Sequence, residues 1–124
     1  MMFSLAVAMG EMTGSLAAFR APNGMVSGTL SSDGCTLTIA ITGRFDFSLH
    51  ESFGDLYLQQ PSTCVHFVVD FQDATSLDSS ALGMLLLMRE RLGGERSSIV
   101  FTGVHFLAGK TLKIANFNNL FIIK

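Results

Sequence analysis

Hydrophobic positions along this chain change period several times, and each change marks an element. Thr36-Leu37-Thr38-Ile39-Ala40-Ile41-Thr42 alternates polar and apolar at period two, the pattern of a half-buried strand. Met25 to Leu30 reads as a shorter edge strand before it. Between them lies Ser31-Ser32-Asp33-Gly34, and Asp-Gly between two β-prone runs signals a hairpin. Gly43-Arg44-Phe45-Asp46-Phe47 breaks the alternation and predicts a loop. Leu49, Phe53 and Leu56 then recur at helical spacing. Ser48-Leu49-His50-Glu51 opens that helix as a capping box, and Gln60-Pro61 closes it.

The stretch from Val65 to Gly94 organises the rest. Val65, Phe67, Val68, Val69 and Phe71 form a nearly unbroken apolar run, which fits a strand covered on both faces. Gln72 to Ser76 are short and polar, and predict a turn. Asp78, Ser79 and Ser80 stand before a long apolar helix, where Asp and Ser oxygens accept from its unpaired N–H groups. Ala81, Leu85, Met88 and Leu92 fall on one stripe of this helix, the expected core face. Ser80, Gly83, Leu87, Glu90 and Arg91 fall opposite, so Leu87 is an apolar residue on the serine-bearing face. Gly93-Gly94 ends the helix.

Ser98 to Thr102 is a further strand, Gly103-Val104-His105 a loop, and Phe106 to Ala115 a helix with Lys110 and Lys113 on its surface. Leu120 to Ile123 is a last strand. The predicted fold class is α/β, a mixed β-sheet with packed helices in the order β-β-α-β-α-β-α-β.

Composition narrows the function. The chain has 124 residues, the size of one domain, and 48% of them are hydrophobic, with 11 Phe, so a core forms without staples. Net charge is −2 and there is no Lys/Arg cluster, which argues against a nucleic-acid surface. Cys35 and Cys64 show no metal spacing and read as free thiols of a reducing cytosol.

A helix N-terminus carrying two hydroxyls and a carboxylate invites phosphate chemistry. Free N–H groups and the helix dipole stabilise an anion there, and a phosphoserine brings about −1.5 to −2 charges. The bland alternative is that Asp78 and Ser79 only cap the helix. Gly103 to Thr111 is a weaker signal, for a nucleotide-binding loop. Five residues separate Gly103 from Gly109 where such a loop has four, so Gly109-Lys110-Thr111 reads as ordinary helix. No Gly-x-Ser-x-Gly elbow is present, and His50, His66 and His105 each stand alone. No catalytic residue, metal ligand or cofactor is expected.

Asp70-Phe71, followed by Thr75-Ser76-Leu77-Asp78-Ser79-Ser80-Ala81-Leu82-Gly83, resembles the signature of the STAS domain, the anti-sigma factor antagonist family. Gly43-Arg44-Phe45-Asp46 is similar to that family's loop after its second strand. Ala81 stands where the family usually has Gly, and is the better helix former. The resemblance implies a single-domain STAS protein of the bacterial cytoplasm acting in signal transduction and transcription regulation. Ser79 would be the phosphorylated serine, with Asp46, Asp78, Ser80, Gly83, Leu87 and Arg91 on the partner face. It would switch partners between a serine kinase or anti-sigma factor and a serine phosphatase. The alternative implied is a STAS subunit fixed in a transport or sensory complex, where Ser79 would be structural.

The resemblance runs from Met25 to the C-terminus. Residues 1–24 are expected to be an extension outside the domain, with Met25 as an alternative natural start. Met1 to Phe19 is apolar, but it lacks a basic leading region and is interrupted at Gly10-Glu11, so neither a signal peptide nor a membrane span is expected. An extra helix or a homodimer contact are the other roles this apolar content would allow.

Overall fold

The computed structural model describes the backbone of residues 15–124, and their side chains except at 15–17 and 106–108. Expectations that concern residues 1–14 lie outside the described residues. Six strands form one sheet in sequence order: β1 Ser15–Arg20, β2 Gly24–Leu30, β3 Thr36–Phe45, β4 His66–Leu77, β5 Ile99–Thr102 and β6 Ile122–Ile123. β1, β2 and β3 form an antiparallel meander, and β3 to β6 run parallel. Each parallel step needs a crossover, and a helix supplies each one: α1 His50–Leu58, α2 Ser79–Arg91 and α3 Phe106–Ile114. The expected order is therefore present, with one strand added in front.

The core follows the period predicted for β3, but β4 is buried at every second position rather than on both faces: Val65 lies outside the strand and is exposed, and Val68 is only partly buried. Leu37, Ile39 and Ile41 of β3 and Phe67, Val69 and Phe71 of β4 are buried, at every second position. Leu49, Phe53 and Leu56 bury one side of the α1 region against them. Gly28 in β2 makes room for that helix, because a Cβ there would stand 2.9 Å from the Leu56 side chain. Aromatic rings continue the core across the sheet. Phe53 meets Phe45 at 5.2 Å between centroids, Phe71 meets Phe101 at 5.2 Å, and Phe101 meets Phe121 at 4.4 Å. Such pairs add about 0.5–1.5 kcal/mol each beyond buried area.

Three local expectations are corrected. Gln72 to Ser76 do not turn but continue β4, paired with the end of β3 from Thr42↔Asp73 to Phe45↔Leu77. Register shifts lie between Ala40 and Thr42 and between Gly43 and Arg44, so exposed Gln72 and Asp73 stand together before buried Ala74. A bulge of this kind breaks alternation and imitates a loop in the sequence. For the same reason Gly43 to Phe45 belong to β3 rather than to a loop. Nor does Ser48 cap the first helix. Asp46 reaches the Ser48 N–H at 3.0 Å and starts a short 3₁₀ turn, Phe47–Leu49, from which α1 continues at His50.

β1 lies ahead of the expected domain start at Met25. It pairs with β2 from Arg20↔Met25 to Ser15↔Thr29, and Phe19 packs partly against the core. It is an edge strand, and a start at Met25 takes away its ladder with β2 and the partial packing of Phe19 and Ala21 against the core. A chain beginning at Met25 is expected to unfold cooperatively, with about 1–3 kcal/mol less stability than the full chain in denaturant titration. A molten or insoluble product would instead make β1 integral to the core.

Candidate functional site

The end of β4 delivers Asp78 to the start of α2, and the end of β3 delivers Arg44 and Asp46 beside it. The Asp78 N–H donates to the Phe45 carbonyl at 3.4 Å, which ties the two strand ends together. Asp78 is the N-cap, in extended backbone, and its Oδ1 accepts from the Ala81 N–H at 3.0 Å. The same oxygen accepts from the Ser80 hydroxyl at 2.6 Å. That hydroxyl holds the Asp78 carboxyl below the usual carboxylate range against the opposing effect of burial, with the Ala81 N–H and Arg44 adding to it and the Asp46 charge working the other way.

Arg44 spans two carboxylates, with Nε 3.1 Å from Asp46 and Nη2 3.7 Å from Asp78. Asp46 is also held below the usual range, first by the Ser48 hydroxyl. Two anions thus face one guanidinium at the mouth of the helix. Ser79 is the first residue of α2. It is exposed, and among the described residues its hydroxyl enters no side-chain hydrogen bond. The two serines therefore differ in kind: Ser80 is engaged by the cap and Ser79 is free.

The rotation of α2 follows the predicted stripe. Ala81, Leu85 and Met88 are buried, joined by Met84, while Leu92 packs only partly against the core. Ser80, Gly83, Leu87 and Arg91 turn toward α1 and line one side of a groove of about 510 Å³. The structure thus gathers Asp46 and Asp78 at the helix mouth, and Ser80, Gly83, Leu87 and Arg91 along the groove beyond it. Arg91 is held across the groove by the Tyr57 hydroxyl at 3.3 Å.

The other wall, with Phe47, His50, Tyr57 and Leu58, is not among the residues expected from sequence. A signal for it existed. Leu58 stands about half a turn from the Leu49, Phe53 and Leu56 stripe, the argument that turned Leu87 outward. Phe47 and His50 stack with centroids 3.9 Å apart.

Gly109-Lys110-Thr111 lies a full turn inside α3 rather than at its first turn. His66 Nδ1 meets the Ser98 hydroxyl and His105 Nε2 the Gln72 carbonyl, so neither pairs with Ser79. Among the described residues no three His, Cys, Asp or Glu side chains cluster to hold a metal. No helix among them is long and apolar enough to cross a membrane. Cys35 and Cys64 are free thiols, and burial pushes the Cys64 thiol up.

Comparison with known proteins agrees with this architecture. Residues 29–123 match the family described as "Mlab, STAS domain". The chain is 50% identical over 93 residues to a STAS-domain containing protein of Pseudomonas aeruginosa, covering 75% of this chain and 92% of that one. With a family match over most of its length and a relative this similar, the chain belongs to the STAS domain family. Its fold is shared with anti-sigma factor antagonists. One from Mycobacterium paratuberculosis aligns with a TM-score of 0.65 at 18% identity, over 85% of this chain and 89% of that one. SpoIIAA, solved in its unphosphorylated form, aligns with a TM-score of 0.59 at 14% identity, over 73% of this chain and 81% of that one.

Proposed function

We propose that this chain is a phosphorylation-controlled protein-binding module of the anti-sigma factor antagonist kind, working in the bacterial cytoplasm. The observation that carries the reading is the contrast between the two serines. Ser79 is exposed with its hydroxyl unengaged, whereas the Ser80 hydroxyl is bound to Asp78 at 2.6 Å. That a fold relative is described by its phosphorylation state supports the same chemistry here. Unphosphorylated, the face around Ser79 sequesters a serine kinase or anti-sigma factor. A phosphate on Ser79 adds about −1.5 to −2 charges beside Asp78 and Asp46, and disrupts that contact through the desolvation cost of burying it under a partner. A phosphatase restores the free serine.

Phosphate transfer from the cognate kinase is expected to be lost in Ser79→Ala and retained in Ser80→Ala, as read by intact mass and peptide mapping. The reverse pattern would sink the assignment. Partner capture with wild type and Ser79→Asp separates the main reading from its rival. A partner held equally by both would favour a STAS subunit fixed in a transport or sensory complex.

The module does no chemistry of its own on nucleotides. Purified protein is expected to hydrolyse ATP and GTP at background rates, because Lys110 sits inside α3 rather than in a phosphate-cradling loop. Turnover abolished by Lys110→Ala would overturn this.

A further inference from the structure

The groove between α1 and α2 is an uncovered apolar surface. Phe47, Leu58 and Leu87 stand along it, 59%, 51% and 46% exposed. One exposed leucine is ordinary, but three large apolar side chains around one groove form a patch that invites a partner.

Both walls are helices, and that decides the form of the occupant. Beyond the first turn, helical backbone spends its N–H and C=O groups internally, so neither wall offers a row of main-chain partners along the groove. An extended segment laid here would leave its own backbone groups unpaired against apolar side chains. A helix satisfies its backbone by itself and needs only an apolar face. The glycines of the two walls leave room for close approach. A Cβ at Gly83 would meet nothing within 4 Å, and one at Gly54 would meet only Arg91 Nη1, at 3.5 Å.

Charge decides the orientation. Glu51 and Asp55 lie four residues apart on α1 and line the groove, and α1 contains no Lys or Arg. On the facing wall Arg91 is already held by Tyr57. An occupant with Lys or Arg along its α1 side is therefore complementary.

We propose that this groove seats an amphipathic helix of the partner protein, apolar toward Leu58 and Leu87 and basic along the side over Glu51 and Asp55. This rests on the reading of the Ser79 face as a partner site, and names what enters it. Other occupants fit less well. Residues 1–14 of this chain contain no Lys or Arg, and Glu11 is their one charged side chain. A second copy placed groove to groove would set Glu51 and Asp55 against their own counterparts.

The test uses the full chain and two labelled synthetic helical peptides, identical in their leucine face but flanked by Lys in one and by Glu in the other. Fluorescence anisotropy is expected to show the Lys-flanked peptide binding at least about tenfold more tightly. Leu58→Glu and Leu87→Glu should each weaken it by at least about tenfold. The double variant Glu51→Lys with Asp55→Lys should invert the preference, with folding checked by circular dichroism. These two side chains are not buried, so this variant carries the test even if Leu58→Glu fails to fold. Amide shifts should map to α1 and α2. Equal binding of the two peptides, a preference that does not invert, or shifts elsewhere would overturn the proposal. So would a dimer that buries the groove, or peptide binding that appears only once residues 1–14 are removed. Phosphoserine introduced at position 79 separates the two readings. Peptide affinity indifferent to it would count against the switch and leave the groove assigned, while loss of charge preference would do the opposite.

Discussion

Phe71→Ala will cost this domain about 3–5 kcal/mol, the range for emptying a buried aromatic site. Phe71 is fully buried near the middle of β4, the strand paired with β3 on one side and β5 on the other. Its ring lies 6.4 Å from Phe45 and 5.2 Å from Phe101, so truncation opens a hole between two aromatic neighbours. Domains of this size have about 5–15 kcal/mol in total, and the variant gives up a large share of it. Urea titration followed by circular dichroism measures the loss. A cost below about 1 kcal/mol would mean that the aromatic chain relaxes into the space and that β4 is not the centre of the core.

Leu87→Glu will act on binding instead. Its side chain is exposed on the groove side of α2, so the substitution should change stability by less than about 1 kcal/mol. On the proposed partner face it places a charge where an apolar anchor is expected, and affinity should fall by at least about 2 kcal/mol. Leu85→Ala, two residues away, is the control with the opposite signature. Leu85 is fully buried, and its truncation should cost about 2–5 kcal/mol of stability. Thermal melts beside a binding titration separate the two. Unfolding caused by Leu87→Glu would refute the partner face drawn here.

The sequence was most readable where one period ran without interruption. β3 and the core stripe of α2 each carry such a run, and the structure buries the residues those runs select, with Leu92 only partly covered; the β4 run selected Phe67, Val69 and Phe71 correctly but also Val65, which is exposed. The Asp78 cap was readable because an Asp-Ser-Ser run before an apolar helix has few other uses. Legibility failed where geometry, rather than composition, sets the pattern. The second half of β4 hides behind register shifts that only its pairing with β3 reveals. β1, Ser-Leu-Ala-Ala-Phe-Arg, has small residues where a strand signal would need alternation, and only the neighbouring β2 makes it a strand. Asp46 displaced Ser48 as the cap through a hydrogen bond that competes with the local box. The α1 wall of the groove needed the outward reading of Leu58 and also the approach of α2, which is tertiary information.

The sheet order β1-β2-β3-β4-β5-β6 has a consequence for how the chain comes into being. Every strand lies beside its neighbour in sequence, so each pairing closes only the connection just made. Loop closure stays cheap at every step, and no strand waits for a distant one. During synthesis the chain emerges N-terminus first. Each strand then leaves the ribosome with its template edge already exposed, and the growing edge moves in one direction across the sheet. The segment bearing Ser79 follows β4, so it arrives after four strands have been made and before the last two. That segment is laid on a platform that is already under construction when its own residues appear.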